Sequence, residues 1–167
     1  AEQAAGIQTL ALSCSACTWL LRTQYRTHGV PLLPRVLHVS AAHDSGTIIN
    51  PIGAQGQVEG AVLMGIGQAL TEGTTYDDQG RQRNPALLEY KLQTCADAPP
   101  IDVHFIQINT PEAGPRGAKG LAEAPNVATA AAIANAIAKI LGTPVRQLPM
   151  TAERVWEQLQ GDQGARS

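Results

Sequence analysis

One carboxylate in this chain stands where a reaction could use it. Glu123 lies near the end of the run Gly114-Pro115-Arg116-Gly117-Ala118-Lys119-Gly120-Leu121-Ala122-Glu123-Ala124-Pro125. Three glycines and two prolines in these twelve residues describe a backbone that bends sharply and approaches something closely. An acid at the end of such a turn can serve as a general base; the plainer role is a solvated cap. Cys14-Ser15-Ala16-Cys17 has the spacing of half a zinc or redox site, but no second pair and no histidine cluster completes four ligands. With Cys95 the count is three, so the cysteines read as thiols and not as a disulfide framework. No side-chain metal site is expected. His104 falls on the polar phase of a strand pattern and reads as a surface residue.

Common nucleotide and hydrolase signatures fail on spacing. Gly65-Ile66-Gly67-Gln68-Ala69-Leu70 opens like a dinucleotide fingerprint, yet lacks the third glycine and sits in a helical pattern. Gly114 to Lys119 has the wrong spacing for a phosphate loop, and Gly120 replaces the Ser or Thr that would bind magnesium. No serine lies in a nucleophile elbow.

The elements that would position Glu123 are legible on both sides of it. Arg35 to Ser40 alternates apolar and polar residues and predicts a strand. Asp44-Ser45-Gly46 is a turn, and Thr47-Ile48-Ile49 a short β-branched run closed by Asn50-Pro51. A helix is predicted from Gln57 to Thr71, with Val58, Val62, Ile66 and Leu70 on one face. Gly56, Gly60, Gly65 and Gly67 lie among them, each costing about 1 kcal/mol against alanine. They imply close approach by a ligand or backbone, or tight helix–sheet packing. Tyr76 to Gly80 is a turn, and Leu87 to Leu92 a possible strand. Ile101 to Ile108 is a strand whose phase changes at Phe105-Ile106, predicting a bulge or two buried faces. Pro125 opens a helix with the stripe Ile133, Ile137, Ile140 and Leu141, stopped at Gly142-Thr143-Pro144. Thr151 caps a last short helix to about Leu159. Leu10, Leu12, Trp19, Leu20 and Leu21 fit a helix or a strand equally.

Bulk properties narrow the class. A chain of 167 residues makes one domain or a large piece of one. At 44% hydrophobic residues it is not disordered, and a net charge of −2 gives no electrostatic case for nucleic acid or an anionic membrane. No uncharged apolar run of about eighteen residues is present, and Glu2 stands where a secretory signal would be basic. Cytoplasm is the expected location.

Taken in order, these pieces resemble the carboxy-terminal part of the large subunit of the xanthine dehydrogenase/aldehyde oxidase family, the molybdenum hydroxylases. Asp44 to Pro51 is similar to the family's aspartate–glycine–asparagine–proline turn. Gln57-Val58-Glu59-Gly60-Ala61, followed by Gly65 to Glu72, is similar to its glutamine–glycine helix. Tyr90, Asp97 and Pro99 fit the next segment, and Gly117 to Pro125 the active-site signature. The likeness runs from about Arg35 to Gln160. It implies an α+β (mixed α/β) fold, with glycine-rich helices on a small mixed sheet, like the family's second molybdopterin-binding domain. It implies that Glu123 is the base beside the molybdenum, that Gln57 contacts the pyranopterin, and that Gly117, Ala118, Lys119 and Gly120 form the loop at the cofactor. The cofactor implied is molybdopterin, as such or as its cytosine dinucleotide. The reaction implied is hydroxylation of an aldehyde or N-heterocycle with a water-derived oxygen, electrons leaving through [2Fe–2S] clusters and FAD on partner subunits.

The resemblance also implies what is elsewhere: the remainder of the molybdenum subunit, an iron–sulfur subunit and an FAD subunit. Ala122 replaces the glycine usual before the glutamate, Gln93 replaces a usual proline, and residues 1–34 do not show the strand pair expected before Arg35. The division expected is a poorly matched segment 1–34, a molybdopterin-binding fragment 35–160 and a disordered tail 161–167. Near the start of the Pro125 helix the dipole would favour an ionised Glu123, and a dry site would oppose that. Two alternatives stand beside the enzyme part: a truncated remnant that keeps the fold without the reaction, and an unrelated α/β binding module.

Overall fold

A computed structural model of the chain describes residues 8–13, 17–24, 27–28, 30–31, 35–108, 110–114 and 116–164. The Cys14 thiol lies outside the described residues. Strand β1 (Gln8–Ser13) pairs antiparallel with β2 (Cys17–Gln24), and β2 pairs antiparallel with β5 (Arg35–His43). Two short strands, β3 (Thr27–His28) and β4 (Val30–Pro31), form a separate ribbon. The strand pair absent from the sequence pattern before Arg35 is therefore present. Its Thr9-Leu10-Ala11-Leu12-Ser13 segment alternates with period two.

Helix α1 (Pro51–Leu70) follows β5 and leads through a long irregular segment to β6 (Ile101–Phe105), which lies parallel to β5. The sheet order β1-β2-β5-β6 is thus mixed. A register shift between Arg22 and Thr23 leaves Leu37 as an extra residue on β5. That bulge lets Val36 enter the core together with Val39, Ala41 and His43. Ile101, Val103 and Phe105 turn the same way, while Asp102 and His104 are exposed. His104 is a surface residue whose ring meets the Ser40 hydroxyl at 3.1 Å. β6 ends at Phe105 without a bulge, and Ile106 and Ile108 are exposed. Residues 86–90 form turns and not a strand: Glu89 and Tyr90 donate their N–H groups to the Ala86 carbonyl.

Asn50-Pro51 does not merely close a turn; it starts α1, six residues ahead of the predicted helix. The Asn50 side chain accepts from Gly53 N–H at 3.1 Å and Pro51 takes the first helical position. The helix predicted from Pro125 is divided. A single turn, α2 (Ala124–Val127), is followed by α3 (Thr129–Leu141). α3 buries Ile133 and Ile137 fully and ends on Gly142 with φ +77°. Ala124–Leu141 is long and apolar enough to cross a membrane by length and composition, a test that core helices also pass. Here it lends Ala132, Ile133, Ala136 and Ile137 to the core. The last helix, α4 (Ala152–Gly164), runs beyond the predicted Leu159, so 161–164 are helical. Thr151 caps it through the Arg154 N–H at 3.4 Å.

Candidate functional site

The two turns that flank the core βα unit are zipped together. Ala118 bridges Gly46. Thr47 N–H donates to the Gly117 carbonyl at 3.0 Å, and Lys119 N–H donates to the Ser45 carbonyl at 2.8 Å. Gly46 has φ +60° and Gly117 φ +68°, conformations that favour glycine. A Cβ at Gly46 would run into the Gly117 carbonyl oxygen, so the two turns can meet only with glycine there.

An ion pair locks the zipper. Lys119 Nζ donates to Asp44 Oδ2 at 2.5 Å, with both side chains largely covered. The other Asp44 oxygen accepts from the N–H groups of Gly46 at 2.9 Å and Ile108 at 3.3 Å. The Lys119 hydrogen bond, then the Gly46 N–H, hold the Asp44 carboxyl below its ordinary range, against a smaller desolvation effect. His43, 1% exposed, places its ring nitrogen 3.4 Å from the Gly120 carbonyl.

The predicted site residues divide into two sets. Gly117 and Lys119 have polar groups engaged within the chain, and Ala118 is the bridge residue between them. Gln57, Gly120 and Glu123 are exposed, and nothing lies within 4 Å of where a Gly120 Cβ would be. Neither the Gln57 nor the Glu123 side chain has a hydrogen-bond or ion-pair partner among the described residues. Glu123 stands one residue before α2 and its side chain makes no cap bond to that turn.

The turn that follows Glu123 packs on the face of α1 that carries Gln57. Gln57, Met64 and Gln68 lie on one face of α1, seven and eleven residues on. Asn126, one turn after Glu123, donates to Gln68 Oε1 at 3.3 Å and faces Met64 Sδ at 3.8 Å. Gln57 is about 10 Å along the axis from Met64 at 1.5 Å per residue. The 117–126 segment thus runs from the turn before α1 to its fourth and fifth turns.

The α1 glycines also divide. Gly65 is pressed against Asn126 and Thr129, and a Gly67 Cβ would strike the Glu72 carboxylate. These two serve packing within the chain. At Gly56 and Gly60 an added Cβ would meet nothing within 4 Å, so these two leave a flat, uncovered surface beside Gln57. Exposed Ile52 and Met64 lie on α1 one turn before Gly56 and one turn after Gly60. A carboxamide with free donors and acceptors above bare backbone fits the edge of a flat heterocycle such as a pterin. Among the described residues, no group of three or more His, Cys, Asp or Glu could hold a metal ion directly.

Asp44 and Asn126 carry much of this geometry, and sequence reasoning gave neither a site role. Asp44-Ser45-Gly46 did signal an aspartate turn, but its Lys119 partner is 75 residues away. Tyr90, placed only by resemblance, donates to Glu72 Oε2 at 3.0 Å; that bond raises its pKa and pins the irregular segment to the end of α1.

A mixed sheet, a glycine-rich helix with one uncovered face, and an unpartnered carboxylate on an adjoining turn define a cofactor-binding α+β domain. Residues 33–99 match the molybdopterin cofactor-binding domain family. The chain is 44% identical over 125 residues to the xanthine dehydrogenase molybdenum-binding subunit of Escherichia coli O157:H7, covering 74% of this chain and 16% of that subunit. It is 34% identical over 125 residues to the nicotine 6-hydroxylase large subunit of Paenarthrobacter nicotinovorans, covering 72% of this chain and 15% of that subunit. The fold superposes on quinoline 2-oxidoreductase from Pseudomonas putida 86 with a TM-score of 0.79 and 28% identity, over 86% of this chain and 18% of that one. The chain belongs to the xanthine dehydrogenase/aldehyde oxidase family of molybdenum hydroxylases, and it spans about one sixth of the length of the curated relatives it matches.

Proposed function

We propose that this chain is the base-bearing, carboxy-terminal part of a molybdenum hydroxylase that oxidises aldehydes or N-heterocycles with a water-derived oxygen. The observation that supports the reading is the exposed, unpartnered Glu123, set between a zippered turn and the contact of Asn126 with the α1 face that carries Gln57. The rest of the molybdenum subunit, with iron–sulfur and FAD subunits, completes the enzyme. A cytoplasmic setting suits the exposed, unpaired Cys95.

When bound, the molybdenum pterin supplies the two-electron oxidant. Gln57 offers its carboxamide N–H and C=O to the pterin edge, and the bare backbone at Gly56, Gly60 and Gly120 admits the flat ring. Glu123 takes up a proton at a carboxylate oxygen as the water-derived oxygen attacks the electron-poor carbon. The Asp44–Lys119 pair does not touch the reacting atoms; it fixes the loop from which Glu123 projects. Positioned general bases contribute about 10²–10⁴-fold.

The test is to produce the chain with polypeptides supplying the remaining molybdenum, iron–sulfur and FAD parts. Molybdenum content and dye reduction with aldehydes and N-heterocycles are then measured. Glu123→Gln should leave molybdenum content unchanged and lower kcat by about 100-fold or more. Retained activity in that variant refutes the base assignment. Absence of molybdenum from every such complex refutes the enzyme reading and favours the remnant.

A further inference from the structure

We propose that Gly65, Asn126 and Thr129 form a seat on which the Glu123 turn rests, and that this seat sets the aim of the carboxylate. The proposal rests on the reading of Glu123 as the base. With no partner of its own, the Glu123 side chain takes its direction from the backbone of residues 123–126. Within that turn the Asn126 N–H donates to the Glu123 carbonyl at 3.0 Å. The turn in turn is fixed by what it rests on.

Three contacts converge on Gly65. Asn126 Oδ1 is buried with no hydrogen-bond partner and would stand 2.6 Å from a Cβ at position 65. The Thr129 Cβ would stand 2.5 Å away, and Thr129 is 1% exposed. The Thr129 hydroxyl donates to the Pro125 carbonyl at 3.2 Å, which ties the start of α3 back to the Glu123 turn. Asn126 Nδ2 then reaches across to Gln68. A buried carboxamide oxygen left without a partner is unfavourable in itself. Its place directly over a glycine makes sense as a spacer that brings α2 down onto α1.

Ordinary carbon contacts fall at 3.4–4 Å, so a methyl at position 65 must lift the turn by about 1 Å. A displacement of that size at a catalytic group costs about 10²-fold in rate. Asn126 and Gly65 are positioning residues, not catalytic ones.

The test compares Gly65→Ala, Asn126→Leu and Ile137→Val. Ile137→Val trims the core two turns further along α3 and controls for lost stability. In the isolated chain, NMR follows the amide shifts of residues 120–123. Both seat variants should move these shifts, and Ile137→Val should not. In the assembled enzyme the seat variants should lower kcat about 100-fold, with KM within about threefold. If Gly65→Ala does not fold, Asn126→Leu decides alone. Seat variants whose residue 120–123 signals match the wild type, or whose kcat matches that of Ile137→Val, overturn the proposal. Retained activity in Glu123→Gln would sink the base reading separately, because the NMR comparison judges the seat without reference to catalysis.

Discussion

Replacing Gly46 with alanine should be among the most damaging single-methyl additions in this chain. Two costs combine. At φ +60° alanine occupies left-handed backbone, which costs about 1–2 kcal/mol. Its Cβ also runs into the Gly117 carbonyl oxygen, with Lys119 Cγ 3.2 Å away. Overpacking of this kind costs about 1–3 kcal/mol. If the loops separate to relieve the clash, the bonds Thr47 N–H to Gly117 and Lys119 N–H to Ser45 are lost instead, at about 0.5–1.5 kcal/mol each. Either route gives a total of about 2–5 kcal/mol. Gly80→Ala is the matched control. Gly80 has φ +78° but nothing within 4 Å of its Cβ, so only the backbone cost of about 1–2 kcal/mol applies. Urea unfolding followed by circular dichroism measures both, and the slope m should be unchanged. Equal destabilisation by the two substitutions would show that the zipper contributes nothing, and the account of the loop frame would fail.

Asp44→Asn tests the ion pair through pH. The folded-state pKa of Asp44 is depressed, so its contribution is present above the unfolded carboxyl value of about 3.9 and lost as pH falls through the folded value. Urea midpoints between about pH 2.5 and 6 should therefore fall less steeply in Asp44→Asn than in the wild type. Tyr90 behaves in the opposite sense: its pKa is raised by its bond to Glu72, so that contribution is complete below about pH 10 and disappears as pH rises through the folded value. Glu72→Gln should shift the Tyr90 step in an ultraviolet titration to lower pH, and Tyr90→Phe should abolish it. Ile133→Ala empties a fully buried position and should cost about 2–5 kcal/mol in the same urea assay. Glu123→Gln, exposed and unpartnered, should change stability by no more than about 0.5 kcal/mol, which separates its effect on activity from any effect on folding.

Local patterns were legible where one element determines them. The α1 stripe, the α3 stripe apart from Ile140, which is exposed, the Gly142 stop, the Thr151 cap and the central strand Arg35 to Ser40 follow from periodicity and cap chemistry. What was hidden depends on partners distant in sequence. Leu10 to Leu21 could not be resolved as strands, because pairing with β5 is what selects that conformation. Asn50-Pro51 was legible as punctuation but ambiguous, since the same dipeptide can end a strand or cap a helix. Leu87 and Leu88 looked strand-like from their apolar character, yet among the described residues no neighbouring strand pairs with them, and Tyr90 with Glu72 holds the segment in turns. The break at Ala128 could not be seen in an alanine-rich run; it follows from the fit of Asn126 and Thr129 on Gly65.

The glycines say most about the site. In sequence, Gly56, Gly60, Gly65 and Gly67 form one class, and ligand approach and tight packing explain them equally. Their surroundings separate them. Gly65 and Gly67 are filled from within the chain, by Thr129 and Asn126 and by Glu72, so a methyl there meets protein. Gly56 and Gly60 are filled by nothing, although each weakens the helix by about 1 kcal/mol relative to alanine. The same sorting applies to the active-site signature. Gly117, Ala118 and Lys119 build the frame, while Gly120, Glu123 and Gln57 are exposed. The frame fixes where the exposed Gly120 and Glu123 stand. The pterin contacts proposed for this chain therefore fall to Gln57 and Gly120, and Lys119 acts through Asp44, by holding the loop, more than by any contact of its own.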